Sequence, residues 1–142
     1  MSLHFQLISA TGAKFDDEAY EVLVPTKDGR IAVLEDHMPL LSSGAPGVLS
    51  VRKKSGEANT QMENFAVYGG VLQVDGKTAR FVTDDVTAEE EVSEQAAREA
   101  MERAQKLVAA AGSREALHEA KTVLHHHTVR LRLAQIKRRH HS

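Results

Sequence analysis

The chain has 142 residues, a formal charge of −2 and no cysteine. That length holds one average domain or two small ones with a modest core. Lack of cysteine excludes disulfides, thiolate metal sites and a cysteine nucleophile. The small net charge gives no global field toward nucleic acid or an anionic membrane.

No apolar run approaches the ~18 residues needed to span a bilayer, and no signal-peptide pattern opens the chain, so a soluble, non-secreted protein is expected. The charge is unevenly spread. Residues 1–88 carry 8 Lys/Arg against 12 Asp/Glu, whereas residues 112–142 carry 7 against 2. A basic end on an acidic body suggests an acidic partner for that end.

Taken in order, Leu3-Phe5-Leu7 alternate with polar neighbours, the period of a half-buried strand. Thr11-Gly12 reads as a turn, and Tyr20-Val22-Val24 as a second strand. Val22–Val24 and Ile31–Leu34 flank Thr26-Lys27-Asp28-Gly29, and Asp-Gly between β-formers predicts a hairpin. His37-Met38-Pro39-Leu40-Leu41 is expected to be an irregular apolar loop, because Pro39 has no N–H for a ladder. Ala45-Pro46-Gly47 predicts a further turn and Val48–Arg52 a strand. Lys53–Asn59 is a polar connection. Phe65–Tyr68, Leu72–Val74 and Ala79–Thr83 continue the strand rhythm, with Gly69-Gly70 marking a bulge or close backbone approach and Asp75-Gly76 a turn. Short strands with repeated glycine turns indicate an antiparallel sandwich or barrel.

The period changes after Val86. Thr87, followed by acidic residues, is a fair helix N-cap. Val92, Ala96, Ala100, Ala104 and Val108 follow at i+4 spacing, with Met101 and Leu107 beside them. Gly112 suits the end of this helix and Ser113 the cap of the next. The second helix carries Leu117, Ala120, Leu124, Thr128 and Leu131 on one face and Val129-Leu133-Ile136 on another. One face packs on the first helix; the extra stripe needs the sandwich or another protein. The expected fold is therefore α+β: an N-terminal antiparallel β-sandwich over residues 1–86, then a C-terminal antiparallel two-helix hairpin over residues 87–142.

Chemistry does not assemble. The eight histidines include His118, His125, His126 and His127 on one helix, yet none stand at the i,i+3 or i,i+4 separation that two ligands need, nor do His140 and His141. Without cysteine, a metal site is not expected. Asp84-Asp85 and Glu89-Glu90-Glu91 read as a helix-start cluster rather than an acid–base pair, and His37 beside Glu35-Asp36 as a loop histidine. Gly69-Gly70 lacks a phosphate-loop context. The basic Arg130, Arg132, Lys137, Arg138 and Arg139 have no aromatics nearby for base stacking, so nucleic acid is not an expected partner. The residues describe an adaptor or regulator better than an enzyme.

The order of motifs resembles the ε subunit of the F-type rotary ATP synthase over nearly the whole chain. The residues that carry the likeness are Leu23-Val24-Pro25, Asp28-Gly29, Ile31–Leu34, His37-Met38-Pro39-Leu40-Leu41, Pro46-Gly47-Val48-Leu49 and Tyr68-Gly69-Gly70-Val71-Leu72-Gln73-Val74, all ahead of a helical hairpin. The resemblance implies a non-catalytic central-stalk subunit of a proton-translocating synthase, held peripherally at the cytoplasmic face of the bacterial cell membrane through the complex. By the same resemblance the sandwich attaches to the γ subunit and the c-ring, with Lys27, Asp28, Gly29, Arg30 and His37 toward the ring. The hairpin either folds on the sandwich or extends along γ into the α/β catalytic head, where it blocks rotation. There Arg130, Arg132, Lys137, Arg138 and Arg139 would meet an acidic segment of the β subunits as an inhibitory basic face. Two departures stand out. Arg30 occupies a position usually acidic in the family. The family's ATP-binding [IL]-D-x-x-R-A motif reads Val92, Ser93, Ala96 and Ala97 here, without its acid and arginine, so neither ATP nor another cofactor is expected. The rival readings are a stand-alone ligand-sensing β-sandwich adaptor and a hydrolase built on His37.

Overall fold

The computed structural model describes residues 2–140. Its strands are β1 (Leu3–Ser9), β2 (Gly12–Ala19), β3 (Glu21–Thr26), β4 (Gly29–Leu34), β5 (His37–Arg52), β6 (Glu63–Gly76), β7 (Thr78–Val82) and β8 (Val86–Ala88). Two helices follow, α1 (Glu94–Ala110) and α2 (Arg114–His140). The ladder runs β2-β1-β7-β6-β5-β3-β4, with β8 also on β6. The long β5–β6 pair bridges the two halves of the sandwich, because β6 pairs with β8 at Phe65–Val67 and with β7 at Val71–Asp75. Every pairing is antiparallel except β1–β7, where His4–Ile8 run parallel to Thr78–Val82.

Alternation decides what faces inward. Leu3, Phe5, Leu7, Val22, Val24, Leu49, Val51, Leu72 and Phe81 are fully buried in one cluster built from strand residues. Phe15 joins it from β2, its ring 5.8 Å from Phe5 and 6.4 Å from Phe65. The Asp28-Gly29 signal produces the expected hairpin: Thr26 pairs with Gly29 across Lys27-Asp28, and Gly29 takes φ 112°. Gly69 and Gly70 also adopt positive φ, and a Cβ on Gly70 would lie 2.4 Å from the Val82 carbonyl oxygen, so this is the close approach expected there.

One strand goes beyond the expected elements, and two local expectations give way. The residues from Gly12 to Ala19 form a strand that their composition hides, since Asp16, Asp17 and Glu18 are exposed and only Phe15 and Ala19 are buried. His37–Leu41 is not an irregular loop but the start of β5, and Ala45-Pro46-Gly47 lies inside the same strand. Both prolines fall where a ladder is already interrupted: the β5–β6 register shifts between His37 and Leu40, and the β3–β5 register between Leu23 and Thr26. A missing N–H costs least at such bulges. Second, Thr87 does not cap a helix. It lies in β8, paired with Ala66, and the cap is Ser93, whose Oγ accepts from the Ala96 N–H at 3.3 Å. Replacing Ser93 by alanine should cost about 1 kcal/mol, read as faster amide exchange in the first turn of α1.

The hairpin closes as expected at its tip. Ala111 ends α1, Gly112 follows it, and Ser113 Oγ accepts from the Ala116 N–H at 3.1 Å. Ala97 and Ala104 are buried on the inner side of α1, where small side chains let α2 approach, whereas Leu107 points outward and is 56% exposed.

Candidate functional site

The second apolar stripe of α2 finds its partner in the sandwich. Val129, Leu133 and Ala134 pack with Val48 of β5, Ala66 of β6 and Val92 in a second buried cluster, with Tyr68 and Ile136 at its margin. Leu133 has no exposed surface. The hairpin is thus folded down on the outer face of the β5–β6 pair. Ala66 can serve this seam because its neighbours Phe65 and Val67 point the other way, into the main core.

Polar groups fasten the same seam. The Arg130 Nε donates to the Tyr68 hydroxyl at 3.0 Å, which in turn shares a hydrogen bond of 2.9 Å with the Thr87 hydroxyl. His126 lies on the Tyr68 ring, centroids 4.4 Å apart. Two further contacts tie α2 to the start of α1 rather than to the sandwich: Lys137 Nζ donates to the Val92 carbonyl at 3.1 Å, and Arg138 pairs with Glu94 at 2.9 Å. Arg138 is 63% exposed, so that ion pair adds little by itself. The five cations of α2 do not form one face. Arg130 and Lys137, seven residues apart, share a stripe toward the sandwich, while Arg132 and Arg139 share another and are exposed. In the folded-down conformation Arg130, Lys137 and Arg138 are therefore already engaged.

The seam also perturbs its histidines. Burial, then the Arg130 guanidinium, hold His126 below the usual imidazole range, against a smaller opposing pull from Asp85. Burial, Arg130, His126 and Arg103 hold His127 down in the same way. Among the described residues His127 Nδ1 is buried with no hydrogen-bond partner. The positions of the nucleotide motif, Val92, Ser93, Ala96 and Ala97, line an open cavity of about 400 Å³ with Arg103, His127 and Arg130. Val92 is spent on the seam and Ser93 on capping α1.

At the β3–β4 turn, Lys27 and Asp28 form the exposed tip, and the Lys27 N–H donates to the Ser43 carbonyl at 3.1 Å. Arg30 stands beyond the turn in β4, and its guanidinium donates to Ser50 Oγ at 2.9 Å. Ser50 donates to Asn64 Oδ1 at 2.6 Å, and Asn64 to Glu89 at 2.7 Å, so a polar chain with a buried centre runs from the exposed Arg30 toward the joint. His37 opens β5 opposite Gly76, with Nδ1 2.8 Å from the Met38 carbonyl. Beside it Met38 and Leu41 are 78% and 74% exposed, large apolar side chains left in water. No group of three or more His, Cys, Asp or Glu among the described residues could hold a metal. His141 lies outside the described residues.

Sequence reasoning located the stripe of α2 and left its cover open between the sandwich and another protein; it read Tyr68 as a strand residue and Thr87 as a cap, and the contacts of Tyr68, Thr87 and Glu94 with α2 and each other carry no local signal. Among the described residues no helix is long and apolar enough to cross a membrane.

Known proteins share this arrangement. Residues 2–89 match the family described as ATP synthase, Delta/Epsilon chain, beta-sandwich domain. The ATP synthase epsilon chain of Chloroflexus aggregans is 33% identical, over 98% of this chain and 99% of that one. That of Gloeobacter violaceus is 29% identical over 94% and 98%. In solved structures the fold recurs in a chain of the Euglena gracilis mitochondrial ATP synthase (OSCP/F1/c-ring), with a TM-score of 0.76 at 17% identity, covering 87% of this chain and 76% of that one. It recurs again in the central stalk and c-ring structure of the Tetrahymena thermophila mitochondrial ATP synthase, with a TM-score of 0.61 at 13% identity, covering 93% and 96%. A sandwich matched by the family model and a helical hairpin aligned along its whole length with an epsilon chain place this protein in the ATP synthase epsilon-chain family.

Proposed function

We propose that this chain, a non-catalytic stalk subunit, couples ring rotation to the catalytic head and carries a detachable regulator at its C-terminus. In this reading residues 1–86 attach to the γ subunit and the c-ring, and residues 87–142 form the regulator. Lys27, Asp28, Gly29, Arg30 and His37 mark the ring-facing end, and the exposed Met38 and Leu41 beside His37 supply apolar surface for a partner to cover. The complex, driven by protons, holds the subunit peripherally at the cytoplasmic face of the cell membrane. The observation that carries the regulatory part is the α2 stripe. It is seated on the outside of the sandwich through a cluster separate from the main core, so the hairpin has a dock it can leave. Leaving it releases Arg130 from Tyr68 and turns the α2 surface that carries Arg130, Arg132, Lys137, Arg138 and Arg139 toward an acidic surface of the head.

The test is ATP hydrolysis by a catalytic head lacking this subunit, with the full chain or residues 1–88 added. Slowing by the full chain alone is expected. Binding of both without slowing would make the hairpin purely structural, and binding of neither would sink the attachment role.

A further inference from the structure

At the seam between α2 and the sandwich stand two half-buried titratable groups, His126 and His127, that neither attachment nor inhibition requires. We propose that this seam is a proton-operated latch, in which protonation of His126 and His127 releases the hairpin from the sandwich. The proposal rests on the reading that the hairpin has docked and undocked positions.

His127 provides the main argument. Its Nδ1 is buried with no acceptor among the described residues, so the ring fits as the neutral tautomer whose proton sits on Nε2. Protonating Nδ1 would bury an N–H donor without a partner and place a charge in a partly desolvated site. The charged groups around it are Arg130 on α2 itself and Arg103 from α1, with Glu91 lining the same cavity and the His126 imidazole alongside. His126 lies on Tyr68 of β6, flanked by His125 on its own helix and by Asp85 ahead of β8. A charged imidazole over a phenol would gain some cation–π energy. Here, however, the Arg130 guanidinium already donates to that phenol at 3.0 Å, so a second cation would meet the first at close range. Asp85 pulls the other way and is outweighed by burial and Arg130.

The sign follows from linkage. His126, stacked on Tyr68 of the sandwich, holds its proton less tightly docked than undocked; the cations beside His127 lie on the hairpin itself, so His127 adds only through the burial that docking supplies, and the undocked state binds more protons. Docking is fully favoured above the ordinary imidazole value of about 6.5 and weakens as pH falls through it.

The cysteine-free chain suits site-directed spin labels. Labels at Ser55→Cys in the sandwich and Lys106→Cys in α1 report docking in the full-length protein by electron–electron distance. Between pH 7.5 and 5.5 the docking constant is expected to fall by up to about tenfold for each histidine, since an undocked imidazole near 6.5 supplies at most that factor over this range. In H126Q/H127Q the response should disappear. In the unlabelled protein, NMR titration should show both imidazoles protonating below free histidine, which keeps the proposal testable if the double variant is unstable. A pH-independent docked distance, or ordinary imidazole titration, overturns the latch. Leu133→Asp separates the two readings. If it undocks the hairpin while acid does not, the latch fails and the two positions stand; if neither undocks it, both fail.

Discussion

Replacing Gly70 by alanine is expected to destabilise the sandwich by about 3–5 kcal/mol, a large share of a small domain's stability. Two costs coincide. Gly70 has φ 144°, a conformation L side chains rarely adopt, and its added Cβ would meet the Val82 carbonyl oxygen at 2.4 Å and the Phe81 ring at 3.0 Å. The first obstacle is backbone, which cannot rotate aside, and Phe81 is itself fully buried. Relief requires β6 and β7 to part where Val71 pairs with Val82. Gly29→Ala is the control: φ is 112° but nothing lies within 4 Å of the new Cβ, so only conformational strain of about 1–2 kcal/mol is expected. Urea denaturation of the two variants measures the difference. Equal midpoints would show that the β6–β7 contact yields freely.

Leu133→Asp is expected to detach the hairpin while leaving the sandwich folded. Leu133 is fully buried at the centre of the seam, and removing such a side chain costs about 2–5 kcal/mol before the burial of a carboxylate is added. At about 1.4 kcal/mol per decade, the docking constant should fall thirtyfold or more. The main core is built from strand residues, so its unfolding transition should persist. Amide exchange would show protection lost across α2 and kept in β1, β6 and β7. With the catalytic head, this variant should inhibit at lower concentration than the parent chain, because it no longer has to undock first. Loss of sandwich protection together with α2 would mean that the two parts fold as one unit and that the hairpin is no detachable element.

What the sequence determined by itself was local. The alternation of Leu3-Phe5-Leu7, the Asp28-Gly29 hairpin and the Ser113 cap each depend on a few neighbouring residues, whose φ preferences and side-chain hydrogen bonds act over one turn. The existence of a second apolar stripe on α2 was legible for the same reason. Tertiary structure decided the rest. The charged Asp16–Glu18 become strand because β1 offers them an edge to pair with. Pro39 and Pro46 are carried inside β5 because bulges in register remove the bonds they could not make. Thr87 and Ser93 are both competent caps, and only the pairing of β8 with β6 assigns one to the sheet and leaves the other to start α1. The five α2 cations look alike in sequence, yet three are tied to Tyr68, Val92 and Glu94 and two lie on another stripe. Such choices turn on long-range contacts, where burial and partner geometry outweigh the small local preferences that a sequence displays.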